Sequence, residues 1–349
     1  MREYKHGGDI YSNQVRLDFS ANINPLGMPE GVREAAQKAV ADCIHYPDPY
    51  CRKLTTAIAK KERVPENFIL CGNGAADLIY RFVVAKKPQR AVILAPGFSE
   101  YEDALRAMDC EVRYHFLRKE LGFRLTEDFL SDLTEEIDVI FLCNPNNPTG
   151  QLIDQALLKR ILARCKEQKI FLFVDECFLD FVEDGDKHSL KKELKTNDII
   201  LILRAFTKIY AMAGLRLGYC ICNNRKVLDS MVKCSQSWAI SIPAQAAGLA
   251  ALGEKAYVKK TMEMIEEERN YLIEELCRLE IQFFPPTANY IFLKSEKDLY
   301  ALLIEREILI RSCHNYPGLS HGYYRIAVKS HGDNRELIKA LECIEKGEL

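Results

Sequence analysis

Four short, almost wholly apolar runs constrain the fold of this chain more than any other feature. They are AVILA at 91–95, VIFLC at 139–143, IFLFV at 170–174 and IILIL at 199–203. Runs of this length without polar alternation are typical of strands that are covered on both faces. Segments of helical length lie between them, such as 156–168. This alternation predicts an α/β fold with a mostly parallel sheet flanked by helices.

The alternation of apolar strands and helical segments ends at about residue 245. We predict a large domain over residues 31–245 and a smaller α+β domain over 246–349. Residues 1–30 lack the alternation of strands and helices that marks the large domain, and we expect them to join the smaller domain. The predicted elements of the C-terminal part are a long charged helix at 256–279, short strands at 290–293, 308–311 and 324–328, and a final helix from Arg335.

Charge and composition narrow the class of protein. Lys and Arg number 48 against 50 Asp and Glu, for a net charge of −2, so bulk electrostatics does not favour nucleic acid. The first residues lack the apolar stretch of a secretory signal, and no apolar run is long enough to span a bilayer. We therefore expect a cytosolic protein without a membrane partner. The 13 cysteines show no CxxC spacing, which predicts reduced thiols and no metal site.

Two polar groups lie directly after predicted strands. The segment NPNNPTG at 144–150 follows the run at 139–143, and Asp175 follows the run at 170–174. The carboxyl ends of strands are where α/β enzymes place ligand-binding side chains. Taken alone, the segment at 144–150 is also compatible with a plain β-turn. Asp175, taken alone, is also compatible with a helix cap.

Two further segments are suited to an anion. Thr207 and Lys208 follow the run at 199–203, and Arg216 lies eight residues beyond Lys208 in the sequence GLRLG. A hydroxyl and a guanidinium are good ligands for a phosphate. The turn GNGAAD at 72–77 opens a predicted helix, where free backbone N–H groups and the helix dipole favour an anion. Taken alone, Lys208 is also compatible with an ordinary solvated surface lysine.

Together these segments resemble the fold-type I enzymes that depend on pyridoxal 5'-phosphate (PLP), the aspartate aminotransferase superfamily. The resemblance covers essentially the whole chain and includes the spacing of 33 residues from Asp175 to Lys208. It implies that Lys208 binds PLP covalently and that Asp175 keeps the pyridine nitrogen protonated, since a nearby anion favours the charged ring. It further implies that Asn147 hydrogen-bonds the phenolic oxygen and that Phe98 stacks on the ring.

The resemblance also implies a site for the cofactor phosphate and a partner subunit. Tyr46 is similar to a family tyrosine that reaches the phosphate of the neighbouring subunit, which implies a homodimer with shared active sites. Ala205 stands where the family often has a hydroxyl residue, a loss of about one hydrogen bond, worth about 0.5–1.5 kcal/mol. The implied phosphate ligands within one chain are the backbone of Gly74, Ala75 and Ala76 together with Thr207 and Arg216.

Two arginines near the C-terminus indicate the kind of substrate. Arg325, in YYRIA, matches the family arginine that holds a substrate carboxylate, and Arg311 lies on the preceding predicted strand. A guanidinium binds a carboxylate or a phosphate through two parallel hydrogen bonds. Two such groups suggest a substrate with two anionic ends, although a surface salt bridge is the alternative for either arginine alone.

The narrowest resemblance is to the L-threonine-O-3-phosphate decarboxylases. HGG at 6–8, LDFSANINPLG at 17–27 and RSCHNYPGL at 311–319 carry it. It implies decarboxylation of L-threonine O-3-phosphate to (R)-1-aminopropan-2-yl phosphate in cobalamin biosynthesis. The substrate-binding residues that it implies are His6, Ala21, Asn22, Asn147, Arg311 and Arg325.

Other reactions stay open at the level of sequence. They are transamination of a phosphorylated substrate such as histidinol phosphate, decarboxylation of phosphoserine, and a cofactor-binding scaffold without catalysis. Phe178 favours decarboxylation, because transaminases of this type usually have a tyrosine there that donates to the phenolic oxygen, and phenylalanine has no donor. The outcome depends on which bond to Cα stands perpendicular to the ring, and the residues do not fix that pose.

Overall fold

A central β-sheet flanked by helices organises residues 6–347, the part of the chain that this computed structural model describes. The strands, in chain order, are β1 Leu17–Asp18, β2 Ile69–Gly72, β3 Arg90–Ala95, β4 Glu111–Phe116, β5 Val139–Cys143, β6 Phe171–Asp175, β7 Ile200–Ala205, β8 Gly218–Cys222, β9 Gln282–Phe284, β10 Tyr290–Lys294, β11 Ile308–Leu309, β12 Arg311–Ser312 and β13 Tyr323–Ala327. The α-helices are α1 Glu30–Ala39, α2 Arg52–Glu62, α3 Ala75–Lys86, α4 Ser99–Arg106, α5 Gln155–Gln168, α6 Arg225–Lys233, α7 Ile242–Ala251, α8 Lys255–Arg278, α9 Leu299–Ile304 and α10 His331–Lys346.

The large sheet has the strand order β2-β8-β7-β6-β5-β3-β4. Neighbours from β7 to β4 pair in parallel, whereas β8 runs antiparallel to both β7 and β2. The carboxyl ends of β2, β3, β5, β6 and β7 therefore lie at one edge of the sheet, where ligands bind in open α/β folds. The predicted fold, a mostly parallel sheet flanked by helices, is confirmed.

The apolar runs are buried on both faces of this sheet. In β6, Phe171 and Phe173 pack in one apolar cluster with side chains of α3, α4 and α6. Leu172 and Val174 pack in a second cluster with side chains of α2 and α5. Successive Cβ atoms of a strand point to opposite faces, so both faces of a covered strand must be apolar. This explains the lack of polar alternation in the sequence of the central strands.

A smaller antiparallel sheet, in the order β12-β13-β10-β9, forms from the C-terminal part of the chain. The N-terminal strand β1 pairs in parallel with β11, with Leu17 opposite Ile308. We predicted that residues 1–30 belong to the smaller domain, and the pairing of β1 with β11 is consistent with that prediction. The division of the chain at residues 30 and 245 stays a prediction.

Two predicted elements of the C-terminal part differ from the observed ones. The strand expected over 308–311 is divided into β11 and β12, because β11 pairs with β1 while β12 pairs with β13 of another sheet. The last helix begins at His331 and not at Arg335. Ser330 caps it, with its hydroxyl oxygen accepting from the Asp333 N–H at 3.2 Å, and such a cap permits an earlier start than the apolar periodicity indicates.

The cysteines and the helices bear on two further expectations from the sequence. All 13 cysteines lie within the described residues as free thiols, and nine of them are buried. Among the helices of residues 6–347, none combines the length and the apolar character that crossing a bilayer needs. The cytosolic location stays a prediction.

Candidate active site

A cavity of about 390 Å³ opens at the edge of the large sheet where the parallel strands end. The turn after β5, the last residue of β6 and the residues after β7 all contribute side chains to it. Twelve of the fifteen residues predicted to bind the cofactor or the substrate line this cavity: His6, Ala21, Asn22, Ala75, Ala76, Phe98, Asn147, Asp175, Thr207, Lys208, Arg216 and Arg325. Gly74 directly precedes two of them, whereas Tyr46 and Arg311 lie elsewhere.

The Lys208 side chain is half-buried and lines this cavity. Burial, and after it the positive charge of Arg325, together lower the pKa of Lys208 to about 8. A buried ammonium loses its hydration, so the neutral amine is favoured. At neutral to slightly basic pH, Lys208 can therefore serve both as a nucleophile and as a proton carrier.

Asp175, the last residue of β6, presents a buried carboxylate to the same cavity. The Tyr101 hydroxyl donates to its Oδ2 at 2.6 Å, and the Cys177 N–H donates to its Oδ1 at 2.9 Å. Burial raises the pKa of Asp175, and the two hydrogen bonds oppose that shift because they favour the ionised form. The carboxylate is thus held in one orientation, ready to pair with a cationic group of a ligand.

Tyr101 is a site residue that the sequence reasoning missed. It lies on α4, buried, and its ring stacks on Phe141 at 5.3 Å. An aromatic residue on a buried helix face is ordinarily a core residue, so nothing local indicated its bond to Asp175. The available signal was its place three residues after Phe98, whose ring it meets edge-on at 5.6 Å.

The turn before α3 and Arg216 lie against each other and form a cradle at one side of the cavity. Gly74 has a φ of +85°, and a Cβ on it would lie 2.6 Å from Nη2 of Arg216. A Cβ on Gly218 would lie 2.9 Å from the Ala75 nitrogen, so β8 also approaches this turn closely. Ala75 and Ala76 begin α3, whose first N–H groups have no partner within the helix. Among residues 6–347, no carboxylate forms an ion pair with Arg216, so its charge is available to an anionic ligand.

Arg325 is a buried cation with neutral partners. Its Nη1 donates to Oδ1 of Asn147 and its Nη2 donates to the Ser20 carbonyl oxygen at 2.7 Å. Its Nε has no hydrogen-bond partner, and no ion pair joins Arg325 to a carboxylate among residues 6–347. Asn22, another buried residue of the cavity, likewise has a side-chain oxygen without a partner in the part of the chain that the structure describes. Buried polar atoms of this kind are normally satisfied, so both point to a ligand that completes them.

Arg311 faces a second cavity of about 280 Å³. In the register of β12 and β13, Arg311 lies directly opposite Arg325, so both guanidinium groups extend from the same face of the small sheet. Nη2 of Arg311 donates to Oδ1 of Asn315 at 2.8 Å. His6 and Ser20 line both cavities, which makes the two cavities neighbours. Like charges that face each other across strands repel, and an anion between them removes that cost.

Phe178 and Ala205 depart from the family pattern, and both line the cavity. The Phe178 ring meets Tyr290 edge-on at 5.0 Å and lies 6.0 Å from Nζ of Lys208. The Tyr290 hydroxyl donates its proton to the Asn146 carbonyl oxygen at 2.8 Å, so Tyr290 cannot donate that proton to a ligand. Neither Phe178 nor Ala205 offers a hydroxyl to a ligand.

Tyr46 lies outside the cavity. Its side chain is 77% exposed and stacks on Trp238 at 4.4 Å between ring centroids. The role predicted for Tyr46 concerns the site of a neighbouring subunit, and it stays a prediction.

Comparison with known proteins identifies the family. The sequence profile of the family described as aminotransferase class I and II matches residues 15–344. The chain belongs to this family. This family member is 41% identical to the threonine-phosphate decarboxylase of Salmonella typhimurium, over 98% of this chain and 97% of that protein. It is 32% identical to the adenosylcobalamin biosynthesis bifunctional protein CobDQ of Leptospira interrogans, over 98% of this chain and 41% of that protein.

A solved structure of another protein has the same fold as this chain. The histidinol-phosphate aminotransferase of Clostridium acetobutylicum superposes with a TM-score of 0.89. The match covers 95% of this chain and 100% of that protein, at 29% sequence identity.

Proposed function

We propose that this protein is a PLP-dependent decarboxylase that converts L-threonine O-3-phosphate to (R)-1-aminopropan-2-yl phosphate and CO2. The observation that carries the proposal is the identity of 41%, over 98% of the chain, to a relative named threonine-phosphate decarboxylase. The relative named for adenosylcobalamin biosynthesis supports a role in the same pathway. The chemistry of the cavity supports the proposal residue by residue.

The side chains of the cavity fit PLP. PLP, when bound, supplies an electron sink for the electron pair that is released when a bond to the substrate Cα breaks. We assign the covalent link to Lys208 and the pyridine nitrogen to Asp175, whose carboxylate would keep that nitrogen protonated. Asn147 would hold the phenolic oxygen and Phe98 would cover the ring. Tyr101 would keep the Asp175 carboxylate in place through its bond of 2.6 Å.

The cofactor phosphate belongs, in this proposal, at the cradle between α3 and Arg216. Arg216 approaches Gly74 closely, and the N–H groups of Ala75 and Ala76 in the first turn of α3 would bind an anion there, as at other helix N-termini that bind phosphate. Thr207, which also lines the cavity, adds a hydroxyl. The absence of a hydroxyl at Ala205 removes one contact, and the remaining donors include a guanidinium, which forms the stronger bonds.

The two arginines suit the two anionic ends of the substrate. Arg325 would bind the carboxylate, since its buried Nε lacks a partner among the described residues. Arg311 and His6 would bind the substrate phosphate, and Ala21 and Asn22 would line the path between the two groups. The positions of Arg311 and Arg325 directly opposite each other support one ligand that bears both anions.

We expect CO2 release from L-threonine O-3-phosphate without any keto acid. The bond between Cα and the carboxylate carbon breaks, CO2 leaves, and a proton takes its place on Cα, so no amino acceptor is consumed. Lys208 is the group placed to carry that proton at Nζ. The measurement is CO2 evolution by the PLP-loaded protein, with mass spectrometry of the phosphorylated amine.

The same assay separates the alternative reactions. The likeness to a histidinol-phosphate aminotransferase structure favours transamination as the second candidate. Product that forms only after addition of 2-oxoglutarate would establish that alternative and exclude the decarboxylase. L-Serine O-phosphate is the matched control substrate, since it lacks one methyl group, and we expect it to react about 10–200-fold less efficiently.

The low pKa of Lys208 gives a second expected result. Capture of PLP by the cofactor-free protein requires the neutral amine, so its rate should rise with pH up to about 8 and then level off. An ordinary lysine would give a rate that still rises above pH 9. Because the charge of Arg325 contributes to the lowering, Arg325→Met should move the midpoint to higher pH. Absorbance during reconstitution across a pH series measures both, and a rate still climbing at pH 10 in the unaltered protein would contradict the assignment.

We also propose a homodimer that shares its active sites. Large apolar side chains near Tyr46 are exposed, among them Ile44 at 84% and Tyr50 at 65%. Trp238, which stacks on Tyr46, is also exposed. Exposed apolar patches of this kind are typical of protein–protein contacts. In such a dimer, Tyr46 would extend toward the cofactor phosphate of the partner.

A further inference from the structure

A hydrogen bond between His6 and Glu100 joins the N-terminal residues to helix α4. Nε2 of His6 lies 2.8 Å from Oε1 of Glu100. The Glu100 side chain is 17% exposed and that of His6 is 35% exposed, so the pair is partly shielded from solvent. Both residues line the cavity that contains Lys208. No role for Glu100 followed from the sequence, and the mechanism proposed above does not use it.

The next two residues after His6 are fixed on Ser20. A Cβ on Gly7 would lie 2.1 Å from the Ser20 carbonyl oxygen, so only glycine permits this approach. The Gly8 N–H donates to the Ser20 hydroxyl oxygen at 2.7 Å. The same Ser20 carbonyl oxygen accepts from Nη2 of Arg325. Residues 6–8 therefore pack against the residue that helps to orient the arginine proposed to hold the substrate carboxylate.

His6 also lies at the boundary of the two cavities. His6 and Ser20 border both the cavity with Arg325 and the cavity with Arg311. A phosphorylated amino acid that reaches both arginines must therefore pass beside the His6 imidazole. The imidazole meets the N-terminal end of α4, where its Nε2 lies 2.8 Å from Oε1 of Glu100 and its ring lies 5.7 Å from the Phe98 ring.

We infer that Glu100 is a positioning residue for the substrate phosphate, because its carboxylate holds the His6 imidazole between the two arginines and keeps residues 6–8 packed on Ser20. This inference rests on the proposed function for the identity of the substrate. Glu100 does not itself bind the phosphate, since two anions would repel. Its removal leaves Lys208, Asp175 and Arg325 intact, so it changes substrate binding and not the bond-breaking step.

The first test is independent of the reaction. Hydrogen–deuterium exchange of the PLP-loaded protein is measured over residues 6–13 in Glu100→Ala and in the matched control Glu102→Ala. Glu102 is also in the first turn of α4, but its carboxylate accepts from Arg106 at 2.6 Å and does not line the cavity. We expect exchange over residues 6–13 to quicken about tenfold in Glu100→Ala and to stay unchanged in Glu102→Ala. Equal exchange in the two variants would overturn the inference whatever the protein catalyses.

The second test uses steady-state CO2 release from L-threonine O-3-phosphate. Glu100→Ala is expected to raise KM about tenfold, because it removes one hydrogen bond to a charged group. We expect kcat to change less than about threefold. His6→Ala should raise KM at least as much, because it also removes the imidazole itself, and the double variant should be no worse than His6→Ala, since Glu100 acts through His6. Multiplied effects in the double variant, or a fall in kcat at unchanged KM, would contradict the positioning role. Failure of the unaltered protein to release CO2 would instead refute the proposed function and leave the exchange result to decide on Glu100.

Discussion

Replacing Lys208 with alanine is expected to lower CO2 release from L-threonine O-3-phosphate by more than about 10⁴-fold. Loss of a proton-transfer group alone costs about 10²–10⁴-fold, and this variant also loses the covalent hold on the cofactor. The fold should survive, because Lys208 lines a cavity and forms no ion pair within the described residues. The measurements are turnover, visible absorbance of bound PLP and the midpoint of thermal unfolding.

A lysine on the surface provides the control for that variant. Lys159 lies exposed on α5 and does not line the cavity, and Lys159→Ala should behave as the unaltered protein does. In Lys208→Ala, the absorption band that borohydride reduction removes should be missing, while the unfolding midpoint of the cofactor-free protein stays the same or rises. A buried amine with a lowered pKa is unfavourable to folding, which is the reason for the second expectation. Turnover within tenfold of the unaltered protein would refute the assignment of Lys208.

The sequence was sufficient for the residues that follow the buried strands. The central strands are apolar on both faces, so a polar side chain directly after an apolar run stands out, as Asp175 does, and Thr207 and Lys208 follow another such run within five residues. Parallel strands end at one edge, and this places those side chains together without knowledge of the strand order. The same reasoning extends to the turn at 144–150 that carries Asn147.

Contacts that join distant parts of the chain were beyond that reasoning. Tyr101 bonds Asp175 across 74 residues, and Glu100 meets His6 across 94 residues. Each looks like an ordinary helix residue in the sequence, because its partner is set by tertiary packing. Arg311 shows the same limit, since its place in a separate cavity depends on the division of one expected strand between two sheets.

A cluster of charged side chains beside the candidate active site was also not predicted from the sequence. Nη2 of Arg204 lies 2.7 Å from Oε2 of Glu176, with both side chains buried, and Nη1 lies 3.3 Å from Oδ1 of Asp180. Glu176 accepts a further hydrogen bond from the Ser189 hydroxyl at 2.9 Å. Burial raises the pKa of Glu176, and the charge of Arg204 opposes that shift. The pair joins the ends of β6 and β7, one residue after Asp175 and four residues before Lys208.

We expect Arg204→Met to lower the free energy of unfolding by about 3–5 kcal/mol, since it leaves the Glu176 carboxylate buried without a counter-charge. Arg225→Met is the matched control, because Arg225 pairs with Asp229 at 2.9 Å on the exposed face of α6 and such pairs contribute about 0–1 kcal/mol. Urea unfolding of the cofactor-free protein measures both without dependence on PLP affinity.

The double variant Arg204→Met with Glu176→Gln distinguishes an ion pair from simple loss of packing. It removes both charges, so it should be more stable than Arg204→Met alone, although replacing either partner by itself is destabilising. A cost for Arg204→Met no larger than that of Arg225→Met would show that Glu176 tolerates burial without Arg204. Additive losses in the double variant would show that the two side chains stabilise the strand ends separately, and the cluster would then have no role as a unit in holding Asp175 and Lys208 at one cavity.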